Sequence, residues 1–411
     1  MKKNPLFNAV ASLLTFALPG LAAPWVQTTS LPDGYAGQSL VYSSGYLYQA
    51  GGASEMSGFS DGVNVFYSQV HNDGTIGAWN SATPLPEGVC YHAGVAANGF
   101  VYVLGGNHFN IEVGDFWTNI VYYAKINSDG SLGAWNNTTP LPQSLYFVSA
   151  SVWNNTIYLI GGSDGYTSTL SSNVYSAQIQ TNGSLSSWTT QTSLPAAIYS
   201  QAEAANGYLY VFGGTVINGD ILRSVYYTKI NADGTLTGWN QTTPLPQPES
   251  YFGAIAANGS IFSVGGYNGT NTTSSFYSAA VNGNGLVGSW LSGTALPTPL
   301  YLEAVANNNS YIFYSGGQNE AGHNLVAVYS MALPAPPATP QFVSRSFTNG
   351  NFQLQLASST NTGFGLLASP DLMTWTNIGW GFTDTNGALI FHDTSAASFP
   401  NRFYRAYWPL P

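Results

Sequence analysis

Charge is what this chain of 411 residues has least of: 6% of positions carry it, and Lys and Arg together number 8. Affinity for nucleic acid comes from neutralising phosphates with cationic side chains, so 8 cations against 18 Asp and Glu exclude nucleic acid as a partner. The same shortage argues against docking on anionic lipid. A single cysteine, Cys90, excludes an intramolecular disulfide framework and a cysteine-based zinc cluster. Beyond the first residues no stretch approaches the ~20 continuous apolar positions of a membrane-spanning helix. A glycine-rich phosphate loop and an EF-hand calcium loop are missing too. What is abundant is Gly (46), Tyr (27) and Trp (11), set among Ser, Thr and Asn, the composition of a turn-rich β protein.

Residues 1–22 are laid out as a secretory signal peptide. Lys2 and Lys3 precede an apolar stretch from Leu6 to Leu18, and small residues follow at Gly20, Ala22 and Ala23. Cleavage after Ala22 is expected, leaving an exported chain that is secreted, periplasmic or held at the cell surface.

Glycine pairs recur at Gly51-Gly52, Gly105-Gly106, Gly161-Gly162, Gly213-Gly214, Gly265-Gly266 and Gly316-Gly317. Trp25, Trp79, Trp135, Trp188, Trp239 and Trp290 keep the same beat, and each precedes a Leu-Pro pair. Self-similarity at ~50 residues points to a propeller or solenoid. Within a unit the period is two: Phe100 to Leu104 and Tyr208 to Phe212 are aromatic and β-branched runs that end at the glycine pair. Asn-Gly and Asp-Gly turns separate the strands. The expected fold is all-β, a six-bladed β-propeller over residues 23–333. The sixth unit lacks a Trp strand and the Trp25 segment lacks the three strands before it, so the N-terminal strand is expected to complete the last blade.

The glycine pairs, the Tyr of the third strand (Tyr67, Tyr122, Tyr175, Tyr226, Tyr277, Tyr329) and the Trp before Leu-Pro resemble the Kelch-repeat family, including its galactose-oxidase-like propellers. The hairpin between Tyr and Trp is longer than in ordinary Kelch repeats, and the Arg often found after the Pro is missing. The resemblance implies the propeller fold and leaves the activity open, because such folds host binders and enzymes alike.

A Pro- and Ala-rich linker, residues 334–340, leads to residues 341–411, where alternating runs predict a small β-sandwich. Ser369-Pro370-Asp371-Leu372, Trp375 and Arg402-Phe403-Tyr404-Arg405 are similar to a C-terminal module of secreted bacterial proteins, which implies attachment, sorting or accessory binding. Trp375 and Phe403 are expected in its core.

In an antiparallel blade the loop after the glycine pair and the connection after Leu-Pro emerge on one face. The post-glycine loops are longest in the first two units, which carry Glu55, Asp61, His108, Phe109, Glu112, Asp115 and Trp117, so a binding site is expected there. A Tyr follows each Leu-Pro by three to five residues: Tyr35, Tyr91, Tyr146, Tyr199, Tyr251 and Tyr301. As a ring at the channel mouth they would stack on a sugar or another neutral ligand; as packing residues they would wedge between blades. Glu203 and Glu303 interrupt inner strands otherwise made of small residues, and without a nearby cation they are expected to hold their protons unusually tightly. Cys90, Tyr91, His92 and His108 resemble part of the tyrosine-histidine copper site of galactose-oxidase-like enzymes, yet the sole Cys adjoins Tyr91 instead of arriving from another blade. The expected function is a secreted, monomeric binding module without a cofactor, taking a carbohydrate or a protein partner. The alternative is a carbohydrate-active enzyme (copper radical oxidase, epimerase or lyase) working at the channel mouth.

Overall fold

The computed structural model describes residues 23–54, 62–110, 114–167, 169–334, 341–348, 351–358, 363–372, 375–399 and 402–407. The proposed signal segment, Glu55, Asp61, Glu112 and most of the linker lie outside the described residues. Within them the chain is all-β apart from one 3-10 turn at Ala396–Ser398.

Each repeat becomes one four-stranded antiparallel sheet, and six such sheets are present among the described residues. The innermost strands are Ser39–Ser43, Ala93–Ala97, Ser149–Trp153, Ile198–Ala205, Gly253–Ala257 and Ala304–Asn307. They are built of small residues because neighbours press on them: a Cβ on Gly94 would lie 2.3 Å from that of Ser39, and one on Gly253 would lie 2.4 Å from a methyl of Val305. Successive inner strands touch around a closed ring, the sixth returning to the first. The second strands, such as Phe100–Leu104 and Thr156–Ile160, are almost wholly buried, which accounts for their continuous apolar composition.

Two hydrogen-bond series repeat from sheet to sheet. Each outer Trp donates its indole N–H to a Thr carbonyl of the preceding sheet: Trp79 to Thr29 at 3.0 Å, Trp135 to Thr83 at 2.8 Å, and likewise Trp188, Trp239 and Trp290. Trp25 makes the sixth bond, to Thr294 at 3.0 Å, although it stands at the other end of the chain. Its strand, Val26–Gln27, pairs with Val328–Ala332 through Val26↔Ser330 and Gln27↔Tyr329. The second series runs from the glycine pairs. Gly52, Gly106, Gly162, Gly214, Gly266 and Gly317 donate their N–H to the carbonyls of Val89, Leu145, Ile198, Glu249, Leu300 and Tyr35, at 2.8–3.2 Å.

The C-terminal segment forms two three-stranded sheets, one ordered Gln341–Thr348, Asn351–Ala357, Ala388–Asp393 and the other Thr376–Phe382, Gly363–Ser369, Phe403–Tyr407. Leu354, Leu356, Phe364, Leu366 and Phe391, drawn from both sheets, make one core. Asp393 ties it together, accepting from Arg402 Nε at 2.6 Å and from the Tyr404 hydroxyl at 3.1 Å. Phe403 is not in this core: it is 39% exposed, because alternation along its strand turns Tyr404 inward instead. Trp375 is half-buried, with the Arg405 guanidinium 4.8 Å from its ring centre.

Trp25 is 9% exposed and packs edge-on against Phe276 at 5.4 Å and Tyr314 at 5.0 Å, so its strand closes the sixth sheet through a large apolar anchor. Trp25→Ala is expected to cost about 3–5 kcal/mol of unfolding free energy by urea titration. Val26→Ala, at a position 50% exposed, should leave stability within about 0.5 kcal/mol of the parent.

Candidate functional site

On one face, every connection after Leu-Pro pairs with the segment after a glycine pair: Ala36↔Ala53, Cys90↔Asn107, Tyr146↔Ser163, Tyr199↔Thr215, Ser250↔Tyr267 and Tyr301↔Gln318. The next residue of each connection turns toward the centre. Counted five after the Pro, these residues are Gly37, Tyr91, Phe147, Ser200, Tyr251 and Leu302. Five of them have positive φ, including the bulky Tyr91 (54°), Phe147 (48°), Tyr251 (54°) and Leu302 (58°). Such residues seldom adopt this conformation, and its recurrence marks strain held at the channel mouth by the surrounding sheets.

The strain brings aromatic rings together over the channel. Phe147 is central, with ring centres of Tyr91 at 4.5 Å, Tyr146 at 5.0 Å, Tyr199 at 5.3 Å and Tyr251 at 5.3 Å. The Tyr199 and Tyr251 hydroxyls bond to each other at 2.6 Å, and Tyr301 stands 6.2 Å from Tyr251. Tyr91 fits because Gly37 faces it: a Cβ there would lie 2.5 Å from its ring. Burial raises the Tyr91 and Tyr251 phenols far above the ordinary range, so both are neutral donors at any physiological pH. Outward from Phe147 the aromatic surface continues through Tyr146 to Trp117 (6.0 Å) and Tyr166 (5.0 Å from Trp117). Trp117 lies flat on Gly165, where a Cβ would fall inside its ring, and Tyr166 is 64% exposed.

The six tyrosines read from the sequence are therefore not one ring. Their offsets from the Pro are three, four and five, and each step along an extended chain changes the direction of the side chain. Tyr35, at offset three, is buried at 1% exposure against Phe66, with its hydroxyl accepting from Asn64 Nδ2; it is a packing residue absent from the mouth. Tyr91, Tyr199 and Tyr251 line the upper cavity, of about 90 Å³, while Tyr146 and Tyr301 stand around it. Phe147, which the search for Tyr passed over, holds the cluster together; its signal was its offset from Leu-Pro.

The positions one further on, Gln38, His92, Val148, Gln201, Phe252 and Glu303, separate this cavity from a second chamber of about 150 Å³. Three of them reach sideways to the preceding sheet. Glu303 Oε1 accepts from Gly253 N at 2.8 Å, Gln38 Nε2 donates to Ser315 O at 2.8 Å, and His92 Nε2 lies 3.0 Å from Ser39 Oγ. Glu203 lines the lower chamber with only a 3.5 Å contact from Ser151 Oγ. Desolvation pushes its carboxyl up to about 8, and burial raises Glu303 well above the carboxylate range. Burial acts oppositely on His92, lowering it to about 3, so it is neutral.

Glu249 was missed by sequence reasoning. It occupies the position three after Leu-Pro that holds Tyr35, Val89, Leu145, Ile198 and Leu300 in the other units, and it is fully buried. Ser263, Ser275 and Gln247 donate to its carboxyl, and burial raises its affinity for a proton.

The copper-like cluster does not assemble. His108 is buried against Phe116, with Nδ1 3.4 Å from Glu87, while Cys90 points its sulfur at Asn107 O. His92 is bonded to Ser39, and His323 is exposed at the rim. Among the described residues no three His, Cys, Asp or Glu side chains converge as a metal-binding group.

Residues 147–333 match the family model described as the KLHDC2/KLHL20/DRC7 Kelch-repeats domain. The chain is 26% identical over 212 residues to Kelch-like protein 26 of Danio rerio, covering 51% of this chain and 33% of that protein. It is 24% identical over 249 residues to Kelch-like protein 23 of Mus musculus, covering 59% and 39%. The chain thus spans well under half the length of these relatives. A solved structure titled "Structure of YjhT" superposes with a TM-score of 0.60 at 14% identity, over 74% of this chain and 97% of that one. Residues 147–333 are therefore similar to a Kelch-repeats domain, and the all-β fold of the chain is like that of the solved structure.

Two titrating groups along the channel, the half-buried Glu203 and the buried His92, set a pH dependence. Glu203 binds its proton more tightly folded (about 8) than unfolded (about 4.3), so its contribution is full at acid pH and is lost as pH rises toward 8. His92 works the other way, costing stability as pH falls below about 6.5 toward 3. Urea midpoints for Glu203→Gln should fall less than those of the parent between about pH 5 and pH 8. Parallel curves would remove Glu203 from the account.

Proposed function

We propose that the chain is an exported, six-bladed Kelch-type propeller, closed by its N-terminal strand and followed by a small β-sandwich, that binds a carbohydrate or protein partner as a monomer. The supporting observation is one continuous aromatic surface from Tyr166 and Trp117 through Tyr146 and Phe147 to Tyr91, Tyr199, Tyr251 and Tyr301. Rings with apolar faces and hydroxyl edges suit a neutral partner that offers both C–H surface and hydrogen-bonding groups. A face poor in charge gives such a partner little electrostatic steering, so contact area and stacking carry the affinity. The Kelch repeats support the binding reading, since repeats of this kind typically serve as protein-interaction modules.

The enzyme alternative draws on one observation, the Glu203 carboxyl that remains protonated near neutrality and could act as a general acid. It lies in the lower chamber, below the aromatic cluster and apart from the continuous aromatic surface.

A glycan array and a cross-linking screen against extracellular proteins, run with the parent, Trp117→Ala and Tyr166→Ala, test the proposal. A partner on either screen should bind about 3- to 10-fold more weakly to each variant, the worth of one aromatic contact. Partners that bind both variants as well as the parent would place the binding surface elsewhere.

A further inference from the structure

Beneath the aromatic cluster, three side chains that line both cavities each carry a polar atom without a partner: Gln38 Oε1, His92 Nδ1 and Glu303 Oε2. Each of these residues is 7% exposed, so bulk water does not account for them. Their second polar atoms are committed, and that fixes what the free ones can do. Gln38 Nε2 donates to Ser315 O, so the amide oxygen faces away as an acceptor. Ser39 Oγ donates to Ala50 O at 3.5 Å, so it accepts from His92 Nε2–H and leaves Nδ1 with a bare lone pair. Glu303 Oε1 accepts from Gly253 N, which leaves Oε2.

Two neutral side chains with a bare acceptor, Gln38 and His92, and one carboxyl, Glu303, therefore line one chamber from three consecutive sheets; burial favours the protonated form of that carboxyl, so a cation that pairs with it displaces its proton. Glu203, Gln201, Ser39 and Ser149 add further oxygens lower down, and no Lys or Arg stands among the described residues that line either cavity. Above them lie the rings of Tyr91, Phe147 and Tyr251. A ligand suited to this place brings several N–H donors, no acceptor, a positive charge to answer the carboxyls, and tolerance of π-faces. Those are the properties of an alkylammonium ion.

We propose that the channel beneath the aromatic cluster binds a small primary ammonium ion, held by Glu303, Gln38 and His92 and covered by Tyr91, Phe147 and Tyr251. This site lies beneath the aromatic surface proposed to take the macromolecular or glycan partner and shares Tyr91, Phe147 and Tyr251 with it; Trp117 and Tyr166 belong to that surface alone. On binding, Glu303 releases its proton to solvent and supplies the counter-charge, Gln38 and His92 supply neutral acceptors, and the rings close over the alkyl part. The chamber's size, about 150 Å³ below and about 90 Å³ above, sets the limit at a short-chain amine.

Isothermal titration of the full chain with methylammonium, ethanolamine and butylammonium, beside ethanol and ethylene glycol as neutral counterparts and Zn²⁺, Mn²⁺ and Ca²⁺ as metal ions, tests this. Saturable binding of an amine, absent for the neutral counterparts, is expected. It should weaken about 10- to 100-fold in Glu303→Gln, which keeps the bond to Gly253, and should persist in Glu320→Gln at the exposed rim. Gln38→Leu gives an independent second test if Glu303→Gln folds poorly. No amine binding would overturn the proposal and leave a water-filled channel. So would metal binding without amine binding, or equal amine affinity in Glu303→Gln and Gln38→Leu.

Discussion

One close approach underlies the rest of the structure: the first glycine of each pair lies directly against the connection that enters the next sheet. A Cβ on Gly51, Gly105, Gly161, Gly213 or Gly316 would come 2.4–2.6 Å from the carbonyl of Val89, Leu145, Ile198, Glu249 or Tyr35. At Gly265 the nearest atoms would be Glu303 Oε1 at 2.9 Å and Leu300 O at 3.0 Å. With no side chain in the way, the second glycine of each pair donates its N–H to that same carbonyl. Repeated around the ring, this contact stitches neighbouring sheets on the face that carries the aromatic cluster. The Trp indoles stitch them at the outer edge.

The stitch also shapes the mouth of the channel. With the connecting chain fixed at offset three from its Pro, five of the six residues at offset five take positive φ at the mouth, and three at offset six, Gln38, His92 and Glu303, reach sideways to the preceding sheet. Bulky residues at the first of these positions fill the mouth; at the second, Gln38, His92 and Glu303 strap one sheet to the last, each with one buried polar atom left unpartnered. Strain, aromatic closure and unanswered acceptors are three consequences of one backbone geometry. They explain why the channel combines an apolar cover with an acceptor-rich interior.

Much of the architecture was legible because it is written in repeats. Glycine pairs, Trp beats and aromatic strand runs recur six times, and the unpaired Trp25 strand together with the Trp-less last unit anticipated the pairing of Val26 with Ser330. The mouth was legible only in part. Tyr is visible in a sequence, whereas the offset that separates a buried Tyr35 from an inward Tyr91 is a matter of register, where a single residue reverses a side chain. Phe147 went unnoticed for lacking a hydroxyl, and Glu249 because its five counterparts are apolar. The carboxyls of Glu203 and Glu303 stood out, since an acid among Ala, Gly and Ser is conspicuous; their partners could not be read, because hydrogen bonds between sheets depend on how the ring closes. His108 and Cys90 looked like a ligand set only while their side-chain directions were unknown.

The stitch at the glycine pairs is tested most directly by comparing Gly105→Ala with Gly99→Ala in urea unfolding. Both glycines have positive φ (63° and 79°), yet a Cβ at Gly105 would meet Leu145 O at 2.6 Å while one at Gly99 would meet nothing within 4 Å. Backbone strain alone gives about 1–2 kcal/mol for Gly99→Ala, and the added clash raises the loss to about 2–5 kcal/mol for Gly105→Ala. Equal losses at the two positions would mean that the close approach does not hold the sheets together, and the account of the channel mouth built on it would fail.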